Sequence, residues 1–198
     1  MELILASNSP RRKEILKTAG YAFTVIPSDY AENDEKDPVS TAIDNAKGKA
    51  EDVFSRLDNK KGKTVLGADT VVFFKGEILG KPASEEDATN TLKRLSGNVH
   101  RVVTGYALVD ESGVKTGYDV SEVTFNELSD ELIREYVKSG SPMDKAGSYG
   151  LQDGFPIVKS FKGDKNNIIG LPLDKIKEEL NERLYSRYRR LYREYSKK

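Results

Sequence analysis

Residues 64–74 read TVLGADTVVFF, the most strand-like stretch of the chain. Its nearly continuous apolar character is typical of a strand that is buried on both faces. Asp69 and Thr70 interrupt it, and an unpaired ionised carboxylate in such a strand would cost several kcal/mol. Two interpretations of Asp69 stay open. It pairs structurally with a buried Lys or Arg, or it lies at the carboxyl end of the strand, facing a cleft and holding a metal ion or a water molecule.

Strand and helix patterns alternate on both sides of this stretch. Strands are expected at 3–5, 22–27, 78–79, 99–110, 114–128 and 157–161. Helices are expected at 11–19, 40–57, 84–95, 129–137 and in a long stretch after 173. The segments 28–38, 141–154 and 166–173 are interpreted as loops. Strands that alternate with helices, plus one antiparallel hairpin with its turn at 111–113, predict an α/β fold with a mixed sheet.

The composition excludes several classes of function. The 198 residues include 32 Lys+Arg, 32 Asp+Glu, one His and no Cys. Disulfide scaffolds, cysteine-ligated metals and thiol nucleophiles are therefore excluded, as are sites with several histidines. Zero net charge disfavours dedicated nucleic-acid binding.

The apolar segments bear on location. No run approaches the ~20 apolar residues of a membrane span, so no membrane partner is expected. The first residues have their short apolar run before the basic residues, the reverse of a secretory signal. We therefore expect a cytoplasmic protein.

The segment 7–12, Ser-Asn-Ser-Pro-Arg-Arg, comes where the first strand gives way to a helix. Ser9 is interpreted as the N-cap, with Pro10 at the first helical position. The hydroxyl of Ser7, free backbone N–H groups and the guanidinium groups of Arg11 and Arg12 then form an anion-binding arrangement. A capped helix with solvated arginines is the alternative.

Two later segments supply polar groups. Lys81, in the Gly-Lys-Pro turn after the central strand, could reach a phosphate near Asp69, or be a solvated turn lysine. Residues 143–152 read MDKAGSYGLQ, where glycines permit a tight backbone and Gln152 could read a base edge by paired hydrogen bonds. A surface loop whose glycines only serve turns is the alternative.

Two further signals are set aside. Residues 62–64, Gly-Lys-Thr, resemble the end of a phosphate-binding P-loop, but the first glycine is missing and the segment enters a strand. His100 could be a general base, yet a lone histidine at a strand start is more often structural.

Five segments occur in a set order: LILASNSPRR (3–12), LGADTVV (66–72), LGKP (79–82), RLSGNVHRVVTG (94–105) and MDKAGSYGLQ (143–152). With them, the chain resembles the Maf family of nucleoside triphosphate pyrophosphatases along nearly its whole length. The resemblance implies hydrolysis of a nucleoside triphosphate between the α- and β-phosphates, giving a monophosphate and pyrophosphate. It also implies a divalent metal cofactor, Mg²⁺ or Mn²⁺.

The resemblance assigns roles to individual residues. The family's proposed proton acceptor falls on Asp69, and its residues linked to substrate choice fall on Arg12, Thr70 and Gln152. The AGSYGLQ ending is similar to the branch that acts on dTTP and UTP, whereas the branch that acts on 7-methyl-GTP differs there.

Three more site residues follow from the same resemblance: Glu32, Lys49 and Lys81. Asn33 stands where paired acids are often seen in the family, and the helix offers Lys47 as well as Lys49 for the lysine position. The clearest departure is the C-terminus, where residues 181–198 run on beyond the expected end of the family core.

The fold implied by the resemblance is a twisted mixed sheet with mostly antiparallel edges, flanked by helices around a central cleft, as in inosine triphosphatases. Residues 1–198 are expected to be one Maf-like domain with two lobes around that cleft. Residues 183–198 are expected to be a basic helical extension. Its apolar stripe would comprise Leu184, Tyr188, Leu191 and Tyr195.

A hypothesis for the chemistry follows. Asp69, with Glu32, would hold Mg²⁺ directly or through water, while Arg11, Arg12 and Lys81 bind the triphosphate. Asp69 would accept a proton from the attacking water or orient that water, and these two roles stay open.

Two alternative functions and one assembly are also consistent with the sequence. The same chemistry on 7-methyl-GTP is one alternative, and a nucleotide-binding regulator of cell division and septum formation without turnover is the other. Because symmetric dimers are the commonest soluble assembly, a homodimer is the expectation on that ground alone.

Overall fold

The computed structural model describes residues 2–33 and 37–195, with side chains in the last helix described as far as residue 186 and at residue 189. The strands of this part form one seven-stranded sheet: β1 (Glu2–Leu5), β2 (Phe23–Val25), β3 (Lys63–Phe74), β4 (Glu77–Leu79), β5 (Val99–Asp110), β6 (Gly113–Phe125) and β7 (Val158–Lys162). The α-helices are α1 (Pro10–Thr18), α2 (Pro38–Ser55), α3 (Glu85–Leu95), α4 (Asp130–Lys138), α5 (Lys165–Ile169) and α6 (Leu173–Tyr195). The predicted mixed α/β fold is confirmed.

The sheet has the strand order β2-β1-β3-β5-β6-β7, and β4 adds to β3. β2, β1 and β3 run parallel, whereas β3, β5, β6 and β7 pair antiparallel. The long β5–β6 hairpin turns at Asp110–Gly113, as the sequence predicted.

The edge of β3 that faces away from β5 has a gap in its strand pairing. β1 pairs with the first part of this edge as far as Leu66, and β4 pairs with the last part from Val72. β1 and β4 share this edge because β5 pairs with the opposite edge of β3 from Val65 to Phe73. Within the described chain, residues 67–71 therefore face no strand on this side, and a cleft opens there.

Alternation along β3 sends its side chains to two different layers. Val65 and Val71 pack with residues of α2, and Asp69 points the same way. Leu66 packs on the other face, against the helices at the two ends of the chain, and Thr70 contacts Arg12 on that face. The gap lets side chains from both faces line one cleft.

Helix α2 lies unusually close to the sheet because two glycines face it. A Cβ atom at Gly67 would lie 2.1 Å from the carbonyl oxygen of Ala46, and one at Gly105 would lie 2.3 Å from that of Ala42. This close approach brings the polar side chains of α2 within hydrogen-bond distance of β3.

The structure corrects several sequence expectations. Asp69 lies in the middle of β3 rather than at its carboxyl end, because β3 continues past the end of β1 to pair with β4. Residues 165–169 form α5 where a loop was expected, since the side chain of Asp164 accepts a hydrogen bond from the backbone N–H of Asn166 and caps the helix. Residues 141–154 include two short 3₁₀ segments, Ser141–Asp144 and Ala146–Ser148.

The boundaries of two elements differ as well. α2 begins two residues earlier than expected, at Pro38, because Asp37 is the N-cap and proline suits the first helical turn. β2 is confined to Phe23–Val25.

The C-terminal stretch continues α6 as far as Tyr195, so residues 183–195 do not form a separate element. Leu184 is exposed, and the other members of the predicted apolar stripe lie outside the described side chains. Over the described residues, none of the helices combines the length and apolar character that a membrane crossing requires.

Candidate active site

The cleft beside the gap in β3 has a volume of about 450 Å³, a size that suits a small-molecule ligand. The main segments that line it are the loop after β1 with the start of α1, the loop 27–32, residues 45 and 49 of α2, the middle of β3, residues 78–81 and the loop 144–152. The sequence-predicted residues that it brings together are Ser7, Arg11, Arg12, Glu32, Lys49, Asp69, Thr70, Lys81 and Gln152.

Asp69 is the buried acid of the cleft, with 7% of its surface exposed. Its Oδ1 accepts a hydrogen bond from Lys49 Nζ at 2.7 Å, and its Oδ2 accepts one from Asn45 Nδ2 at 3.1 Å. Each carboxylate oxygen has two acceptor sites, so both keep capacity for a further donor or a cation. Asp69 is thus both paired with a buried lysine and directed into a cleft, although it lies in the middle of its strand and not at the carboxyl end.

Lys49 is shared between two carboxylates. Its ammonium group lies 2.7 Å from Asp69 Oδ1 and 2.6 Å from Glu32 Oε1. Lys47, the other candidate in the helix, points to solvent, where it pairs with Glu51. The structure therefore places Lys49, and not Lys47, in the cleft.

Glu32 is an ionised partner in this cluster. Partial burial by itself raises the pKa of Glu32, but the hydrogen bond from Lys49 and the charge of Lys49 outweigh it. The charges of Lys81 and Arg12 act in the same direction, so the pKa lies below its ordinary value. Glu32 is therefore a carboxylate at neutral pH and available to a cation.

Arg12 is held from three sides before any ligand binds. Its Nε donates to the carbonyl oxygen of Gly170 at 2.9 Å, Nη1 to Ser7 Oγ at 3.2 Å and Nη2 to Thr70 Oγ1 at 3.2 Å. Burial lowers the pKa of Arg12, and the charge of Asp69 opposes that shift. Two of the five guanidinium N–H groups remain for a ligand, in a fixed orientation.

The hydroxyl of Thr70 is committed to this arrangement. Thr104 Oγ1 donates to the carbonyl oxygen of Asn167 at 2.8 Å, which uses its single proton. Thr70 Oγ1, 3.0 Å away, must therefore donate to Thr104 while it accepts from Arg12. Thr70 thus orients the guanidinium group of Arg12 within the cleft.

Arg11 crosses the mouth of the cleft to the loop 144–152. Its Nη1 donates to Asp144 Oδ2 at 2.8 Å, and Lys145 Nζ lies 2.8 Å from Asp144 Oδ1. Burial raises the pKa of Asp144, but the hydrogen bonds and charges of Lys145 and Arg11 lower it below its ordinary value. Asp144 thus links two cations on opposite sides of the mouth.

Gln152 is exposed at the end of this loop, and its side-chain orientation is fixed by its neighbour. Gln152 Nε2 donates to Asp153 Oδ1 at 3.2 Å, while Asp153 Oδ2 accepts from the hydroxyl of Tyr136 at 2.5 Å. The same hydroxyl accepts from the backbone N–H of Gly150 at 2.9 Å. A buried tyrosine therefore holds both ends of the turn that carries Gln152.

Lys81 lies at the rim of the cleft and is exposed. Within the described part of the chain its ammonium group makes no hydrogen bond or ion pair, although its charge acts on Glu32. It is placed to bind an anionic ligand at little cost in lost contacts.

His100 has a structural position, as the sequence suggested. It is buried in the sheet, and its Nε2 lies 2.8 Å from the hydroxyl of Tyr149. Burial lowers the pKa of His100 to about 4, so the ring is neutral at physiological pH. It does not line the cleft.

Sequence reasoning missed three residues that support the site: Asn45, Tyr136 and Thr104. Each carries a polar group on the mostly apolar buried face of its element, and a polar residue within that apolar spacing was the available signal. Asn45 stands one helical turn before Lys49 on the buried face of α2.

The donor set fits a hard divalent cation. Glu32 and Asp69 present carboxylate oxygens on either side of one ammonium group. Among residues 2–33 and 37–195, no group of three or more His, Cys, Asp or Glu side chains is placed to hold a metal. Two carboxylates with the phosphates of a substrate are the set that Mg²⁺ commonly uses.

A mixed α/β sheet with a buried acid and several lysines and arginines gathered at a gap in one strand defines a class of protein, one with a cleft suited to a polyphosphate ester. The chain belongs to the Maf-like protein family, whose sequence model matches residues 2–183.

Curated relatives cover most of the chain. A dTTP/UTP pyrophosphatase from Thermococcus onnurineus is 49% identical over 174 residues, which are 87% of this chain and 92% of that protein. A dTTP/UTP pyrophosphatase from Clostridium tetani is 46% identical over 185 residues, 89% of this chain and 94% of that protein.

One solved structure aligns with most of the chain. A nucleoside-triphosphatase / dITP/XTP pyrophosphatase from Mycobacterium abscessus has a TM-score of 0.45 and 14% sequence identity, and the match covers 95% of this chain and 98% of that one.

Proposed function

We propose that this chain hydrolyses dTTP and UTP to the nucleoside monophosphate and pyrophosphate. The observation that carries the proposal is the buried Asp69 carboxylate, which is held by Lys49 and Asn45 and directed into a cleft lined by arginines. A site that only binds nucleotide has no need of a buried carboxylate beside the phosphate-binding cations. The curated relatives named dTTP/UTP pyrophosphatase support the same assignment.

The substrate carries about four negative charges, which the cations of the cleft would neutralise. Arg12 is already fixed by three hydrogen bonds and so loses little freedom when it binds a phosphate. Lys81 and Arg11 add charge at the rim, and Arg11 would exchange part of its contact with Asp144 for phosphate oxygens. Ser7 and the backbone N–H groups before α1 complete the anion-binding loop.

The chemical step breaks the bond between the α-phosphorus and the oxygen that bridges to the β-phosphorus. A water oxygen forms the new bond to the α-phosphorus, and pyrophosphate leaves with the electron pair of the broken bond. Asp69 accepts the proton that the water loses. Lys49 keeps Asp69 in place and supplies a charge that balances the two carboxylates.

We propose that Glu32 and Asp69 hold Mg²⁺ or Mn²⁺ together with the substrate phosphates. When bound, this metal would neutralise phosphate charge and polarise the phosphoryl oxygens. The two carboxylates keep acceptor sites for it because Lys49 uses one site on each.

Base recognition is assigned to Gln152. Because Asp153 accepts one of the amide protons, the carbonyl oxygen of Gln152 is left to accept a hydrogen bond and the second amide proton to donate one. Thymine and uracil offer a matching N3–H donor beside a carbonyl acceptor. In the same register cytosine would place its N3 acceptor against the Gln152 oxygen, and its N4 amino group could reach that oxygen only if the base shifted in the site, so a fixed Gln152 disfavours cytosine.

Three further assignments belong to this proposal. The chain is one Maf-like domain over residues 1–198, supported by the family match to residues 2–183. The reaction takes place in the cytoplasm, where soluble nucleotides are the substrate. The chain forms a homodimer in this proposal, for the sole reason that symmetric dimers are the commonest soluble assembly.

The test is pyrophosphate release with Mg²⁺ or Mn²⁺ from dTTP, UTP, CTP, ATP, GTP, ITP and 7-methyl-GTP. Asp69→Asn keeps the shape of the side chain and removes its basicity, so turnover should fall by at least about 100-fold. Asp58→Asn, which alters an exposed carboxylate outside the cleft, is the matched control and should retain activity.

Other results would redirect the assignment. Turnover of a purine alone, 7-methyl-GTP included, would keep the mechanism and refute the role of Gln152. Tight binding without turnover of any nucleotide would favour a regulatory binding protein.

A further inference from the structure

Asn45 is a polar residue on the buried face of α2, with 2% of its surface exposed. Ala42 and Ala46, on the same face, are fully buried against the sheet, and Lys49 follows one turn later. Asparagine is a poor helix former compared with alanine, so its presence there is not explained by helix stability.

The side-chain amide of Asn45 uses both of its donors and its acceptor. Nδ2 donates to Asp69 Oδ2 at 3.1 Å and to the carbonyl oxygen of Asn33 at 2.9 Å. Oδ1 accepts from the backbone N–H of Asn33 at 2.9 Å. One amide therefore binds the catalytic carboxylate and both backbone polar groups of Asn33.

We propose that Asn45 is a positioning residue that ties the segment carrying Glu32 to Asp69, so that the two carboxylates form one site before nucleotide binds. Glu32 immediately precedes Asn33, and its side chain is 44% exposed and forms an ion pair with Lys49. The segment is also held further back, where Asp52 accepts hydrogen bonds from Ser28 Oγ and from the backbone N–H of Asp29. Next to Glu32, however, only the ion pair to Lys49 would remain without the contacts to Asn33, and a half-exposed carboxylate is weakly positioned by one ion pair.

The effect on kcat rests on the proposed function. The hydrogen bonds of Asn45 to Asp69 and to Asn33, called the Asn45 clamp below, can be tested without turnover. Asn45→Ala removes both sets of hydrogen bonds and suits the helix. We expect kcat for dTTP to fall by about 10- to 100-fold, the range seen when residues that orient reacting groups are removed. KM should change by less than about 3-fold, because Arg12 and Lys81 still bind the triphosphate.

Asn45→Asp separates the two halves of the clamp. An aspartate keeps an acceptor for the N–H of Asn33 but donates nothing to Asp69, and it brings a further negative charge beside that carboxylate. We expect kcat to fall at least as far as in Asn45→Ala, whereas the exchange rate of the Asn33 amide proton should stay near that of the unaltered protein.

The second readout is hydrogen exchange of the Asn33 amide, followed by NMR. Loss of its acceptor in Asn45→Ala should speed this exchange by about 5-fold or more, the equivalent of about 1 kcal/mol for a hydrogen bond. Exchange in β3 should be unchanged, since the ladder to β5 is intact.

Asn98→Ala is the matched control. Asn98 is a partly buried asparagine whose side chain, like that of Asn45, donates two hydrogen bonds, here to the carbonyl oxygens of Arg94 and Ser96, but it lies outside the cleft. The Asn98→Ala variant should lose some thermal stability and keep kcat. Thermal melts of all three variants establish that each is folded at the assay temperature.

The outcomes distinguish the inference from the proposed function. If Asn45→Ala keeps kcat within about 2-fold, or loses no more than Asn98→Ala, the positioning role is refuted. If the unaltered protein hydrolyses no nucleotide, the proposed function fails, and unchanged exchange at Asn33 would then refute the clamp as well.

Discussion

The hydroxyl group of Tyr136 contacts both ends of the turn 150–153, which carries Gln152. It donates to Asp153 and accepts from Gly150, while the ring is fully buried in the core beneath the loop. Burial raises the pKa of Tyr136, and the hydrogen bond and charge of Asp153 raise it further, so the group stays a donor.

Tyr136→Phe should therefore weaken both stability and base selection. Two buried polar partners lose their contact, which is expected to lower the free energy of unfolding by about 1–3 kcal/mol. Apart from Gln152, the Asp153 carboxylate then keeps only its longer ion pair with Lys145, at 3.5 Å, so its hold on Gln152 should loosen and the ratio of kcat/KM for dTTP over CTP should fall several-fold. Urea unfolding and the two kinetic measurements test this.

Tyr118→Phe is the control for that substitution. Tyr118 is 43% exposed on β6, and its hydroxyl makes no hydrogen bond within the described residues. Its ring keeps the contact with Lys175 when the hydroxyl is removed. Equal dTTP:CTP ratios in the two variants would contradict the role of Tyr136.

His100 predicts a specific pH dependence of stability. Its pKa is lowered by burial to about 4 in the folded protein, against 6.5 when exposed. Between these values the unfolded chain binds a proton that the folded protein does not, so stability rises with pH across this window and is lost as pH falls. From pH 7 to pH 5 this residue should cost roughly 2 kcal/mol of unfolding free energy.

The measurement is urea unfolding at pH 7 and pH 5 for the unaltered protein and His100→Gln. Glutamine does not titrate, so its variant should lose about 2 kcal/mol less between the two pH values, whatever its absolute stability. An identical pH dependence in both proteins would mean that carboxylates account for the whole effect.

At the scale of elements, the contact between α2 and β3 is what assembles the acid cluster. Gly67 leaves no side chain between them, and Lys49 reaches Asp69 across this short distance. Gly67→Ala would press a Cβ atom against the carbonyl oxygen of Ala46, and such overpacking costs about 1–3 kcal/mol. Because backbone must move, the helix should shift and kcat should fall together with the melting temperature.

The opposite face of the same strand provides the control for Gly67→Ala. Ala68 is fully buried against the other layer, away from α2. Ala68→Gly should also lower the melting temperature, by loss of packing and by added flexibility, but should leave kcat largely intact. If both variants lose kcat in proportion to stability, the helix contact has no special role.

The same contact shows what sequence could and could not predict. The apolar spacing of α2 and the run at 64–74 identify both elements, and the polar residues in β3 mark the site. The choice of Lys49 over Lys47 needs the rotation of α2 on the sheet, and the contact of Arg12 with Gly170 joins residues 158 positions apart. Such pairings depend on the tertiary arrangement, so no local pattern carries them.

At the scale of the whole molecule, a net charge of zero contrasts with the cation-rich cleft. Attraction of a polyphosphate must therefore come from the local field of the cleft rather than from overall charge. Interactions with exposed charges are screened over about 10 Å at 0.1 M salt, and Lys81 at the rim is the exposed member without an ion-pair partner among the described residues.

Lys81→Met should consequently lower kcat/KM for dTTP by about 10-fold at low ionic strength, chiefly through KM, and by less as salt is added. Lys61→Met is the control, because it removes an exposed lysine outside the cleft. Its net charge equals that of Lys81→Met, so a difference between the two variants reports the local field of the cleft and not the total charge. Kinetics from low to high salt provide the measurement. Parallel salt dependences for the two variants would show that net charge, and not the field of the cleft, governs the approach of the nucleotide.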